Sequence, residues 1–248
     1  MKRLTISAIT IILLLFASQR ASAQFSLALG VTAGLDGAGL ELATPIGSQL
    51  QLRAGYSTLS PIYKYQRHFD LASLGVKGLA DLDAEVLANL GGANLLLDWH
   101  PGGGAFFFTA GVYASSPNIV TVRNREPFLD EEDWGSLGIV AGNKMIVTDD
   151  KGILSFHLSV PPVRPYAGFG FGNAVTWDKV IGFMMELGAC YTGGFSLNAY
   201  GEDTYTFEQG TLTITSADVN NEDKGIIDKV SAFPVLPLLK FGLYVKLF

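Results

Sequence analysis

Ile181-Gly182-Phe183-Met184-Met185-Glu186-Leu187-Gly188-Ala189-Cys190-Tyr191 divides cleanly by parity. Ile181, Phe183, Met185, Leu187, Ala189 and Tyr191 fall on one side, with Gly182, Met184, Glu186, Gly188 and Cys190 on the other. A period of two is that of a strand, whose side chains alternate between faces. Glycine within a helix costs about 1 kcal/mol relative to alanine, so a helical reading of this stretch is poor. A sandwich strand in water would point its apolar face into a core and show a mostly charged or polar one to solvent. Here the second face is glycine, methionine and cysteine around a single carboxylate. That is what a narrow membrane barrel needs, with lipid outside and little room inside.

The same division runs outward along the chain. Upstream, Phe25, Leu27, Leu29, Val31 and Ala33 oppose Ser26, Ala28, Gly30 and Thr32, and Leu40 and Leu42 oppose Gly39, Glu41 and Ala43. Leu50, Leu52, Ala54 and Tyr56 oppose Gln51, Arg53, Gly55 and Ser57. A strand from Val86 to Trp99 changes parity at Gly91-Gly92, and Phe106 to Tyr113 alternates again. Further strands follow at residues 154–160, 166–172, 195–200 and 239–248. Tight reversals at 45–48, 100–104, 161–165 and 192–194 alternate with longer links at 58–84, 115–151 and 202–236. Short links at 34–37 and 175–179 read as outside loops. Short periplasmic turns and longer outside loops are the rhythm of outer-membrane barrels, whose strand number is even. The fold expected is all-β: a transmembrane antiparallel up-and-down β-barrel of about ten strands, with eight or twelve also fitting the pattern.

Composition agrees. Hydrophobic residues make up 48% of the chain and charged ones 16%, with a mean hydropathy of +0.30. Yet beyond the N-terminal leader no stretch of about 18 apolar residues exists from which to build a spanning helix. Lys2 and Arg3, the apolar run Ile9 to Phe16 and the small-residue site Ala21-Ser22-Ala23 form a secretory signal expected to be cleaved before Gln24. Residues 1–23 are therefore the expected signal peptide and 24–248 the barrel domain. The net charge is −6, which gives no footprint for nucleic acid. Cys190 is the single cysteine, so no intrachain disulfide can form.

Three segments carry a family likeness: Leu97-Asp98-Trp99-His100-Pro101 followed by Gly102-Gly103-Gly104, Pro165 to Gly172, and the closing Phe241-Gly242-Leu243-Tyr244-Val245-Lys246-Leu247-Phe248. On these the chain resembles the small bacterial outer-membrane β-barrel proteins, the porin-like, OmpA- and OmpW-like class. The resemblance implies a cell outer-membrane location in a Gram-negative bacterium. It also implies contact with outer-membrane lipid and lipopolysaccharide, and recognition of Phe241, Leu243, Tyr244, Val245, Leu247 and Phe248 by the barrel-assembly machinery. Phe248 departs from the usual pattern by falling in the inward register. A monomer is expected, with a structural role or a narrow passive pathway for small solutes. Binding of a partner or surface polymer by the outside loops is the alternative.

Projected inward, the strands gather Glu41, Arg53, Asp98, His157, Glu186, Lys240 and Lys246 in one lumen. Such a set acts as a charged gate or as ion pairs that fill a small barrel. The second reading is preferred. His157, Ser159 and Glu186 invite comparison with lipid hydrolases, but no nucleophile elbow surrounds Ser159, and the chain is not expected to be an enzyme. His68, His100 and His157 lie on separate segments, so no metal site is expected. No cofactor is implied. Asp130 to Asp133 reads as a solvated charge run, and residues 216–230 as a polar loop with a short helix. Gly168-Phe169-Gly170-Phe171-Gly172 lies inside an alternating strand and lacks the helix a nucleotide loop requires. Trp99, Tyr113, Tyr166, Trp177, Tyr191 and Tyr244 read as an interfacial girdle or as lumen residues.

Overall fold

The computed structural model describes residues 26–59, 65–69, 82–127, 129–136, 138–141, 144–176, 179–203, 209–215 and 234–248. The expected signal peptide, Trp177 and the polar loop 216–230 lie outside them. The strands are β1 (Ala28–Gly34), β2 (Gly37–Ile46), β3 (Leu50–Thr58), β4 (Tyr65–Phe69), β5 (Leu82–Ala88), β6 (Gly92–Trp99), β7 (Phe106–Ala114) and β8 (Asn118–Asn124). They continue with β9 (Gly138–Ala141), β10 (Lys144–Val147), β11 (Ser155–Ser159), β12 (Val163–Gly172), β13 (Ile181–Tyr191), β14 (Ser196–Asp203), β15 (Gln209–Ile214) and β16 (Val235–Lys246). Among the described residues there is no α-helix.

Eight of these strands close a barrel in the order β1-β16-β13-β12-β7-β6-β3-β2, antiparallel throughout. Closure removes every edge, so the backbone groups of all eight strands pair within the protein, as hydrocarbon demands. The parity read from the sequence holds strand by strand. Ala28, Glu41, Arg53, Asp98, Phe107, Met184, Glu186 and Tyr244 are buried inside, while Leu29, Val31, Leu97, Phe169, Phe183 and Leu243 are exposed on the outer wall. An apolar surface of that extent on a protein in water would be an aggregation hazard. In a bilayer it is the lipid-facing belt.

The barrel has two unlike ends. At one, which we call the turn end, β2–β3, β6–β7 and β12–β13 are joined by short connections; Gly47 and Gly102 take positive φ there (79° and 68°). The first and last described residues come to this end, where Leu27 N donates to the Phe248 carbonyl at 3.2 Å. At the other, three of the four connections leave the barrel and build a second antiparallel sheet. It runs β4-β5-β8-β11-β14-β10-β9, with β15 also paired to β14. We call this the extension end.

The structure departs from the sequence reading in two respects. The strands read at 154–160 and 195–200 are β11 and β14 of the extension sheet, so the barrel closes with eight strands. Correspondingly, the reversals read at 161–165 and 192–194 are not turns at the short-turn end, and Val163 to Pro165 already belong to β12. Residues 161–162 and 192–195 carry the chain from sheet to barrel and back at the extension end, while the link containing 175–179 belongs to the turn end. Prolines mark the transition, because a residue without an N–H interrupts a ladder. The Pro162 carbonyl accepts from Ser115 N at 2.9 Å, that of Pro117 from Val160 N at 2.9 Å, and that of Pro234 from Thr192 N at 2.7 Å.

Candidate functional site

Arg53 on β3 is the centre of the barrel interior. It is 1% exposed, and its guanidinium grips Asp98 of β6 at two points, Nε to Oδ2 at 2.7 Å and Nη2 to Oδ1 at 2.8 Å. Nη1 donates to Glu41 Oε2 of β2 at 3.2 Å, and Nη2 also bonds Glu186 of β13. A planar fork of donors suits this task, since one Arg can address several carboxylates at once. Strand register makes the geometry: Arg53 lies opposite Ala43 and Leu96, hence diagonal to both Glu41 and Asp98.

Lys240 of β16 extends the cluster. Its Nζ donates to Glu41 Oε1 at 2.8 Å and to Tyr113 Oη at 2.6 Å, and lies 3.5 Å from Asp36. Two cations thus face four buried carboxylates, Asp36, Glu41, Asp98 and Glu186. Hydroxyl donors satisfy the remaining lone pairs. Tyr166 donates to Glu186 Oε1 at 2.5 Å, Tyr244 to Glu41 Oε2 at 2.5 Å, and Ser57 to Asp36 Oδ2 at 2.8 Å. A buried charge so fully bonded is tolerated where an unpaired one is not.

Aromatic rings complete the filling, and inward glycines make room for them. Glu41, Gly30 and Tyr244 form one cross-strand row, and a Cβ on Gly30 would come within 2.3 Å of the Tyr244 ring. The ring therefore crosses the glycine to reach Glu41. Tyr166 passes Gly188 in the same way, and Phe107 covers Gly170, where a Cβ would meet them at 2.3 Å and 2.5 Å. The Arg53 guanidinium lies 5.8 Å from the centre of the Phe107 ring, and Tyr113 packs on Tyr166 with centroids 5.1 Å apart. Gly30→Val is expected to displace the Tyr244 ring and lower stability by about 1–3 kcal/mol, the usual cost of overpacking. Urea titration of the refolded protein in micelles measures it, with outward-facing Val31→Ile as the unchanged control.

Of the residues projected into the lumen, Glu41, Arg53, Asp98, Glu186 and Lys240 meet in this single cluster. His157 does not. It sits on β11 of the extension sheet, where its Nδ1 meets Thr121 Oγ1 at 3.0 Å. Lys246 is half-buried at the turn end of β16, away from Arg53. Asp36, Tyr113, Tyr166 and Tyr244 are members that the charge projection leaves out; the three tyrosines all have inward parity in the sequence. Arg164, also buried, sits towards the extension end, bonded to Ser115 Oγ at 2.6 Å and the Pro161 carbonyl at 3.4 Å.

Ser159 donates to Asn118 and His157 meets Thr121, so the two do not form a nucleophile–base pair, and Glu186 is inside the barrel. His100 is buried at the turn end, with Nδ1 bonded to the Gly104 carbonyl at 3.0 Å and its ring 5.3 Å from that of Phe107. Burial lowers its pKa. Among the described residues no cluster of His, Cys, Asp and Glu could hold a metal ion. Trp99 stacks on Phe108 at 6.0 Å, and Phe106 contacts Phe108 and Phe171, forming an aromatic band on the outer wall near the turn end. In the closing segment Phe241, Leu243 and Val245 face outward, Tyr244 faces inward, and Leu247 and Phe248 lie exposed beyond the strand.

A closed antiparallel barrel with an apolar outer belt and a filled, ion-paired interior defines a transmembrane β-barrel protein. No known family matches the sequence, and no curated protein does. Solved structures show similarity to the chain. CarO of Acinetobacter baumannii is 17% identical at a TM-score of 0.47, over 88% of this chain and 96% of CarO. CarO2 of the same organism is 16% identical at 0.48, over 90% of this chain and all (100%) of CarO2. A major outer membrane protein from Thermus thermophilus is 15% identical at 0.40, over 90% of this chain and 100% of that protein. At these scores the likeness adds nothing to the argument from the barrel's own geometry.

Proposed function

We propose that the chain is an integral outer-membrane barrel with a structural role: a closed anchor that holds its extension sheet beyond the membrane. The carrying observation is the Arg53 cluster, in which one cation bonds carboxylates from three other barrel strands across the lumen. Phe107, Tyr113, Tyr166 and Tyr244, each at most 4% exposed, fill the space around it. An eight-stranded barrel has an interior just wide enough for side chains to fill, and these side chains fill it. A narrow passive pathway is the weaker reading on the same ground.

The expected leader and the short connections support a turn end in the periplasm and an extension sheet outside. The outer belt then meets lipid and lipopolysaccharide, and β16 is the strand offered to the assembly machinery. Planar-bilayer recording tests the anchor. Refolded wild-type protein is expected to give no step-like conductance where a small porin conducts. Steady conductance from the refolded wild-type protein would overturn the reading in favour of a pore.

A further inference from the structure

One face of the extension sheet carries chemistry that a closed barrel does not need. Thr121, His157, Asn198 and Thr213 stand opposite one another across β8, β11, β14 and β15. Hydroxyls hold both central members, Thr121 Oγ1 meeting His157 Nδ1 at 3.0 Å and Thr213 Oγ1 donating to Asn198 Oδ1 at 2.9 Å. His157 Nε2 and Asn198 Nδ2 have no partner among the described residues. Both side chains are thus oriented in advance, which lowers the ordering cost of binding. Burial also lowers the His157 pKa.

The adjacent rows repeat the theme. Ser159 lies opposite Ser196 on one side, and Tyr200 opposite Thr211 on the other, with Ser196, Tyr200 and Thr211 at least partly exposed. A cavity of about 450 Å³ opens beside them, lined in part by Ser159, Thr192, Phe195, Ser196 and Asn198. The cation of this face is paired and its second carboxylate is hydrogen-bonded. Arg123 Nε donates to Glu85 at 2.5 Å, and Gln209 bonds Glu202 at 3.1 Å.

These features select among partner classes. A nucleic acid would need unpaired cations. An extended peptide joins a sheet through an edge rather than a face. A hydroxyl-rich, uncharged chain answers the alternating donors and acceptors and offers C–H faces to the Tyr200 ring. Neighbouring strands lie about 4.8 Å apart, close to the length of one pyranose unit, so successive sugars would meet successive strands.

We propose that this face binds an uncharged polysaccharide laid across β8, β11, β14 and β15, with Tyr200 stacked on a sugar ring and His157 and Asn198 bonded to its hydroxyls. The proposal rests on the reading that the extension sheet projects outside the membrane. Full-length protein refolded in a sugar-free detergent is titrated calorimetrically with dextran, maltoheptaose, cellohexaose and, as an anionic probe, polygalacturonate. Heat-dependent gel mobility of the same preparation reports the barrel separately, so failure of the one reading is distinct from failure of the other. Saturable binding of a neutral glucan, unchanged at high salt, is expected. Asn198→Ala and Tyr200→Ala are each expected to weaken it about three- to tenfold, with Lys179→Ala at the turn end unchanged. Silence with all three neutral glucans, binding of polygalacturonate alone, or variants that bind like wild type would each overturn the proposal.

Discussion

Arg53→Met is expected to prevent the barrel from folding: no heat-modifiable species should form when the urea-unfolded variant is diluted into micelles that refold wild type. The substitution conserves apolar bulk and removes the one group bonded to Glu41, Asp98 and Glu186 together. Breaking a single buried pair costs about 3–5 kcal/mol, because the surviving charge stays buried without its partner. Here three carboxylates lose their shared cation, against a total stability of only about 5–15 kcal/mol for a typical domain. Arg53→Lys should rescue little, since an ammonium cannot grip Asp98 at two points while reaching two more carboxylates. The combination Arg53→Met, Glu41→Gln, Asp98→Asn and Glu186→Gln should recover folding, because removing charge on both sides leaves no unpaired ion. An Arg53→Met protein that refolds with an unchanged urea midpoint would show that the cluster does not hold the barrel together.

How far this cluster is legible in the sequence depends on what parity can report. Alternation assigns a face, so Glu41, Arg53, Asp98, Glu186 and Lys240 are all readable as inward residues of their strands. It does not report which sheet a strand joins. Ser155–Ser159 alternates as cleanly as a barrel strand because the extension sheet also has an apolar face and a polar one, and parity alone places His157 in the lumen for that reason. Membrane exposure leaves no separate mark on five residues. Asp36 is hidden differently: it sits in the Leu35–Asp36 turn between β1 and β2, where side-chain direction follows turn geometry, and it folds inward to Ser57 and Lys240. The inward glycines are visible, but not their use. That Gly30 serves the Tyr244 ring requires knowing that β1 lies between β2 and β16, a pairing that only barrel closure creates.

The second large effect concerns the lumen itself. In the triple variant Phe107→Ala, Tyr113→Ala, Tyr166→Ala, step-like conductance is expected to appear in bilayers where wild type is silent. All three rings face inward, and none of them touches the lipid-facing wall. Their removal empties space on both sides of Arg53 while the backbone ladder of all eight strands persists. Each buried aromatic lost to alanine costs about 3–5 kcal/mol in a protein core where the cavity stays dry. Here the cavity is lined by Arg53, Lys240 and four carboxylates, so water enters it and solvates groups that the tyrosines had bonded. That hydration offsets part of the loss and creates the conducting path in one step. Heat-modifiable mobility establishes first that the variant is folded. Conductance from the folded triple variant then places the barrier in the aromatic filling, with cation preference following from the excess of carboxylates over cations at the constriction. Silence from a folded triple variant would instead mean that the Arg53 cluster closes the lumen unaided, and restoring the rings one at a time would leave conductance unchanged.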